Sequence, residues 1–249
     1  GDDIVEMGDG NDYVKVGGGL DSFDGGAGKD YISYYDSTGG VTVNLATNAT
    51  SGSWASNDII DNFESISGSK NGGDKIYGTS GSNTIKTYGG DDRVAAGGGT
   101  DRIELGDGND YVRVGGGKET FDGGSGRDYI SYYDSTGGIR LDLRDDEVSG
   151  SWAVNDKISD FEGASGSNTG DDVLLGTNGI SSLRGLGGDD KLYGRGGSDK
   201  LYGGSGEDFL DGGGGSGTDL LYGGSGADTF EFDRGEGVDI IKDFENSEN

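Results

Sequence analysis

The sequence predicts an all-β chain wound into a flattened, right-handed parallel solenoid, on three observations. Acidic side chains recur every nine residues along most of the 249-residue chain. Each follows a glycine-rich run and stands two places before an apolar side chain. A longer unit holding several such nonapeptides then occurs twice, 98 residues apart, matching from Gly8 and Gly106 to Asp92 and Asp190 without a gap. One structural unit built twice and stacked accounts for a repeat carried that far.

The first series of acids is Asp3, Asp12, Asp21 and Asp30, followed at two places by Val5, Val14, Phe23 and Ile32. The second is Asp74, Asn83, Asp92, Asp101, Asp110, Glu119 and Asp128, with apolar partners from Ile76 to Ile130. The third is Asp172, Ser181, Asp190, Asp199 and Asp208; Asp219 and Asp228 follow after two extra residues in DGGGGSGTD (211–219), which put Asp219 out of step. A helix fails to explain the interval, because nine residues make about two and a half turns and would send successive acids to opposite faces. Interior glycines would also cost a helix up to about 1 kcal/mol each. A strand of about three residues with one side chain inward, then a glycine turn, fits instead. Two such units complete a coil, so each acid lies above the acid eighteen residues on. Asp92, Asp110 and Asp128 share one edge; Asp101 and Glu119 share the other.

Between nonapeptide stretches at 1–33, 74–131 and 172–231, the nine-residue rule lapses over 34–73 and 132–171, read as two β inserts. Both begin inside a copy of DYISYYDSTGG, from Asp30 and from Asp128. Each carries one alternating strand, VTVNL or IRLDL, and then an apolar series. In the first insert that series is Trp54, Ile59, Ile60, Phe63 and Ile66; in the second it is Trp152, Ile158 and Phe161. Tyr34, Tyr35 and Trp54 among polar side chains could form a sugar platform. One tryptophan per repeat more commonly marks packing, so an apolar cluster covering an outward bulge is the expectation. Asp36, Asp58, Asp134 and Asp156 are further oxygen donors here. Residues 232–249 are read as a capping and secretion segment, with Phe230, Phe232, Ile240, Ile241 and Phe244 on an amphipathic strand that closes the exposed sheet edge.

The formal charge is −28, with 57 glycines and no proline, cysteine or histidine. Leu, Ile, Val and Phe make up just under a fifth of the residues. Such a composition by itself predicts disorder, because ordering each residue costs about 1–2 kcal/mol and glycine costs most. Another source of folding free energy is required. Disulfides are excluded, and without thiolate or imidazole ligands zinc and copper are poor candidates. Carboxylates on neighbouring coils about 4.8 Å apart repel by roughly 3 kcal/mol at an effective dielectric of about 20. A divalent cation between them reverses the sign, completed by carbonyls of the glycine turns. Calcium is preferred, since it takes about six to eight oxygens in flexible geometry whereas magnesium demands a tight octahedron. The acids of the three series allow about ten such ions between coils. Asn83 and Ser181 lack the carboxylate, and Glu119 is longer than the aspartate it replaces.

Four units, GGSGRDYIS (123–131), GGAGKDYIS (25–33), GGSGEDFLD (203–211) and GGSGADTFE (223–231), fit GGxGxDxUx at every fixed position. The chain thereby resembles the RTX (repeats-in-toxin) proteins, whose nonapeptide binds calcium. That resemblance implies a parallel β-roll with calcium held between turns by the sixth-position acids and turn carbonyls. It also implies type I secretion from a Gram-negative bacterium, with folding outside the cell. The last stretch, ADTFEFDRGEGVDIIKDFENSEN, resembles the start of the C-terminal segment of serralysin-type proteases and alginate epimerases.

Without histidine or cysteine, acyl-transfer triads and zinc protease motifs cannot be built. No serine stands in GxSxG, and the spacing of the acids is explained by stacking rather than by a glycosidase pair. Net acidity argues against nucleic acid and anionic membranes as partners. No apolar run is long enough to span a bilayer. The expected role is a calcium-binding structural module of a secreted or surface protein, of adhesin, matrix or surface-layer type. The alternative is the folding and export module of a secreted protease, lipase or alginate epimerase whose catalytic domain lies upstream. Polysaccharide or cell-surface material is the candidate partner beyond calcium ions.

Overall fold

The computed structural model describes residues 1–232 and 237–244. Every regular element among them is a β-strand, most of three residues. The chain forms two compact units, Gly1–Asp128 and Tyr129–Asn249.

In the first unit alternate nonapeptides feed two sides of the roll, one a continuous parallel sheet, the other broken at the insert into a three-stranded sheet and a longer one. Ile4–Glu6 pairs with Ser22–Asp24, and Tyr13–Lys15 with Tyr31–Ser33, residues eighteen apart facing one another. Beyond the insert the register resumes: Lys75–Tyr77, Arg93–Ala95 and Tyr111–Arg113 stack on one sheet. Thr84–Lys86, Arg102–Gly108 and Thr120–Gly126 stack on the other. Only the middle residue of each triplet points inward, because side chains alternate across a strand. Ile76, Val94 and Val112 therefore form one buried column, and Ile85, Ile103 and Phe121 another. This is a parallel β-roll with a core one side chain deep on each sheet.

The insert contributes strands to this stack. Ile59–Asp61 pairs with Ser22–Asp24, and Ser65–Ser67 with Tyr31–Ser33. Val41–Asn44 pairs with Lys75–Tyr77 on one side and with antiparallel Ala49–Gly52 on the other. Ile60, Phe63 and Ile66 are buried as expected of an apolar cluster, but Ile59 is 66% exposed, being the outward neighbour of Ile60. Trp54 is half-buried, and its indole lies over Gly18. Tyr34 is fully buried while the adjacent Tyr35 is not, so the two rings do not share one surface.

The second unit repeats the plan. Leu174, Leu192 and Leu210 form one buried column and Leu183, Leu201 and Leu221 the other. Ile139–Asp142 pairs with antiparallel Glu147–Gly150 and with parallel Val173–Leu175. The two extra residues before Asp219 loop out at Gly215 and Ser216, between Gly214, which still bridges to Gly196, and Gly217, which lies against Gly197, and Leu201 still faces Leu221. Asp219 thus returns to step. Val238–Ile241 adds one more parallel strand beside Thr218–Ser225. It extends the sheet rather than closing it, for Phe232, Val238, Ile240 and Phe244 all stay exposed. The remaining tail positions, 233–236 and 245–249, lie outside the described residues.

One departure is specific to the second copy. Arg195 occupies a turn position that most of the other nonapeptides fill with glycine, with φ of 74°; Tyr88 and Leu186 stand at the same position with φ of 70° and 85°. The Arg195 guanidinium makes two 2.6 Å hydrogen bonds to the Asp142 carboxylate and a third, 2.9 Å, to the Gly176 carbonyl. The corresponding residues 98 earlier are Gly97 and Asn44.

Candidate metal centre

Each glycine turn ends on an acid that ties one coil to the next. On one edge of the first unit the backbone N–H of Asp74 donates to Asp92 Oδ1 (2.6 Å), that of Asp92 to Asp110 Oδ1 (2.7 Å), and that of Asp110 to Asp128 Oδ1 (2.8 Å). Asp3 donates likewise to Asp21, Asp12 to Asp30, and Asn83 to Asp101. The second unit repeats the device from Asp172 to Asp190 to Asp208 to Asp228, and from Ser181 to Asp199 to Asp219. Of the acids of the three series, Asp3 is exposed and Asp12 and Asp228 are half-buried. The others, Glu119 among them, are buried.

One oxygen is therefore used by the protein, and the second is not. Oδ2 of Asp12, Asp21, Asp30, Asp92, Asp101, Asp110, Asp190, Asp199 and Asp208 is buried with no hydrogen-bond partner. Native proteins rarely leave such atoms unsatisfied, because a buried charge without a partner is costly. Burial pushes Asp92 and Asp190 up to about 8 and Asp199 up to about 7. Neighbouring carboxylates add to the shift, Asp74 and Asp110 at Asp92, and Asp172 and Asp208 at Asp190. Asp101, Asp110 and Asp208 rise, again by burial, to about 6.

The glycines explain how those oxygens come to be enclosed. A Cβ on Gly185 or Gly203, the first residue of its turn, would fall against Oδ2 of the turn's own acid, Asp190 or Asp208. At the next position Gly124 adopts φ of 92°, and a Cβ there would strike the Gly106 carbonyl one coil away. Carboxylate and carbonyl oxygens thus crowd the gap between turns. The donor set is all oxygen, which suits calcium. Among the described residues no three acidic side chains converge on one point. An ion in this ladder would take at most two carboxylates and complete its shell from backbone carbonyls.

Coils touching the inserts are satisfied differently. Asp74 accepts from Val41 N–H (2.7 Å) on Oδ1 and from Ser69 N–H (2.8 Å) on Oδ2, and Asp172 does the same with Ile139 and Ser167. Asp58 accepts from Asp21 N–H and from the Tyr34 hydroxyl, both at 3.1 Å. Glu64 Oε2 accepts from Asp30 N–H at 2.9 Å. Asp58 and Glu64 therefore continue the columns of Asp21 and Asp30, a role the nine-residue spacing did not reveal for Glu64. A local signal was present, since each stands two places before a buried apolar residue, Ile60 or Ile66. Asn83 Oδ1 accepts from Thr79 N–H and its Nδ2 donates to the Glu64 carbonyl; Ser181 Oγ accepts from Thr177 N–H. Protein donors take the place of charge at these levels.

A family model for the RTX calcium-binding nonapeptide repeat, four copies long, matches residues 1–34, 70–103, 96–130, 166–201, 184–218 and 214–239. Together the matches span more than half of the chain and leave out most of both inserts. No curated protein matches it.

Proposed function

The chain belongs to the RTX family of calcium-binding nonapeptide repeats, and from that premise we propose that it folds on calcium outside the cell, as a structural part of a type I-secreted surface or extracellular protein of a Gram-negative bacterium. The roll is a structural calcium-binding repeat module. Its ions, of order ten, lie between coils on the acids of the three series. The observation that carries the reading is the row of enclosed aspartate oxygens without donors. Low calcium leaves these charges to repel one another and keeps the chain open; calcium at about 0.1–1 mM, typical of extracellular sites, closes it. Circular dichroism tests this directly. A coil spectrum in EDTA at pH 8 that turns to β on adding calcium is expected, and a compact β state in EDTA at that pH overturns the proposal.

The second reading, a folding and export module of a secreted enzyme, draws support from the exposed apolar side chains of the last strand, which a further element would cover. The residues preceding Gly1 in the gene decide it: a catalytic domain there favours the enzyme, further repeats the structural protein.

A further inference from the structure

The two copies of the long repeat treat the outer faces of the roll differently. In the first unit one sheet presents Tyr13, Lys15, Tyr31, Ser33, Ser67 and Lys86 on its outer side. Ninety-eight residues on stand Tyr111, Arg113, Tyr129, Ser131, Ser165 and Arg184, so rings and hydroxyls are unchanged and charge is kept. On the opposite side Ser22 and Asp24 keep their chemistry in Thr120 and Asp122, but the rest drifts. Thr42, Ile59, Asp61, Lys75 and Tyr77 become Arg140, Lys157, Ser159, Val173 and Leu175. The buried serine pair is held by the fold itself, and Tyr88 and Ser65 of the first face do change, to Leu186 and Gly163; what persists at its surface is the ring of Tyr13 and the charge of Lys15 and Lys86, whereas Lys75 and Tyr77 of the other side lose theirs.

In the first unit that retained face holds a groove of about 460 Å³. Tyr13 and Tyr31 stack with ring centroids 5.6 Å apart, and Tyr35 meets Tyr88 edge-on at 4.8 Å. Tyr13 is 62% exposed. Beneath the rings the Ser33 and Ser67 hydroxyls bond to each other, 2.7 Å apart. Lysines stand at the rim. Lys15 pairs with Asp36, and Lys86 with Glu104 at 2.7 Å. Glu104 also accepts two hydrogen bonds from Arg102, so one carboxylate serves two cations. The counterpart of Glu104 in the second copy is Tyr202, yet Arg184 and Lys200 still stand where Lys86 and Arg102 do. Arg184 there lies 5.2 Å from the Tyr202 ring centroid. A positive charge kept after its protein carboxylate has gone is not kept for that ion pair.

We propose that this face binds an anionic polysaccharide, its sugar rings laid on Tyr13 and on the Tyr35–Tyr88 pair and its carboxylates drawn to Lys86 and Lys15. Electron-rich ring faces suit the C–H side of a pyranose, and exposed ion pairs exchange readily for a ligand's charge. A denser polyanion such as nucleic acid meets the repulsion of the strongly acidic chain.

Isothermal titration of the calcium-loaded full chain tests the proposal, with a galacturonate hexamer as probe and calcium matched in both solutions. Binding is expected to weaken at least tenfold in Tyr13→Ala and in Lys86→Ser, to fall in 0.5 M salt as an ionic contact should (~3–10-fold), and to be unchanged in Tyr77→Ala on the other sheet. Circular dichroism and the calcium midpoint serve as controls that each variant folds. No binding, equal binding of maltohexaose or of a thymidylate hexamer, or full affinity in both groove variants overturns it.

Discussion

Asp92 donates its backbone N–H to Asp110 Oδ1 across 2.7 Å, and Asp110 Oδ2 is left enclosed without a donor. One carboxylate thereby has two tasks, joining coils through one oxygen and offering the other to a cation.

Asp110→Asn separates these tasks, since the amide keeps an acceptor for the Asp92 N–H and loses the charge. The midpoint of a calcium titration followed by circular dichroism should rise by about tenfold with reduced cooperativity, because ligand charge sets affinity at such sites. Asp107→Asn removes an exposed acid three residues earlier and should leave the midpoint unchanged. Equal shifts in the two variants would contradict the assignment of the column.

Acid should partly replace calcium. In the metal-free roll burial raises Asp92 and Asp190 to about 8 and Asp199 to about 7, from an ordinary value of 3.8. Between those values the folded state holds protons that the unfolded chain has released, so metal-free stability falls as pH rises through the window. Below the ordinary value the penalty is absent; above about 8 it is complete. In EDTA, β signal should therefore grow as pH is lowered from 8 to about 5. Growth in the opposite direction would refute the sign.

Tyr34→Phe takes the hydroxyl from Asp58 and leaves a buried carboxylate oxygen without its donor. In saturating calcium this should cost about 1–3 kcal/mol in denaturant unfolding. Tyr35→Phe, next in sequence but turned to the surface groove, should stay within about 0.5 kcal/mol of the parent.

Gly185→Ala places a methyl group against Asp190 Oδ2 and should lower both thermal stability and calcium affinity, by about 1–3 kcal/mol in stability. Gly179→Ala is the control, because a Cβ there meets only Thr177 Oγ1 at 3.5 Å. A melt that drops equally for both would show that glycine content, rather than the enclosed oxygen, decides the effect.

The stacking was legible in the sequence because strand alternation and a fixed turn length leave a phase that can be counted. Ile76, Val94 and Val112 occupy the column that their spacing assigns. Where turn length varies, the phase is lost although the chemistry persists. Glu64 follows Asp30 by 34 residues yet accepts its N–H, and Asp219 follows Asp199 by 20 and does the same. Tyr34 and Tyr35 looked alike as a pair but part, Tyr34 into the core and Tyr35 toward the surface, because the strand ends at Ser33 and the chain turns there, closed by the Ser37 N–H on the Tyr34 carbonyl. The hydroxyls and serines that satisfy Asp58, Asp74 and Asp172 were not readable from spacing at all, since those bonds depend on how the hairpin returns to the roll.

A polypeptide that holds two near-copies of one unit runs a risk known in repeat proteins: segments of one twin can dock where the other belongs. Leucine and isoleucine columns offer little defence, for they accept each other freely. Arg195 and Asp142 do discriminate. Exchanging either for its twin, Gly97 or Asn44, strands a largely enclosed charge, a mistake worth about 3–5 kcal/mol. That ion pair gives the second twin an identity of its own and makes swapped assembly the costlier outcome.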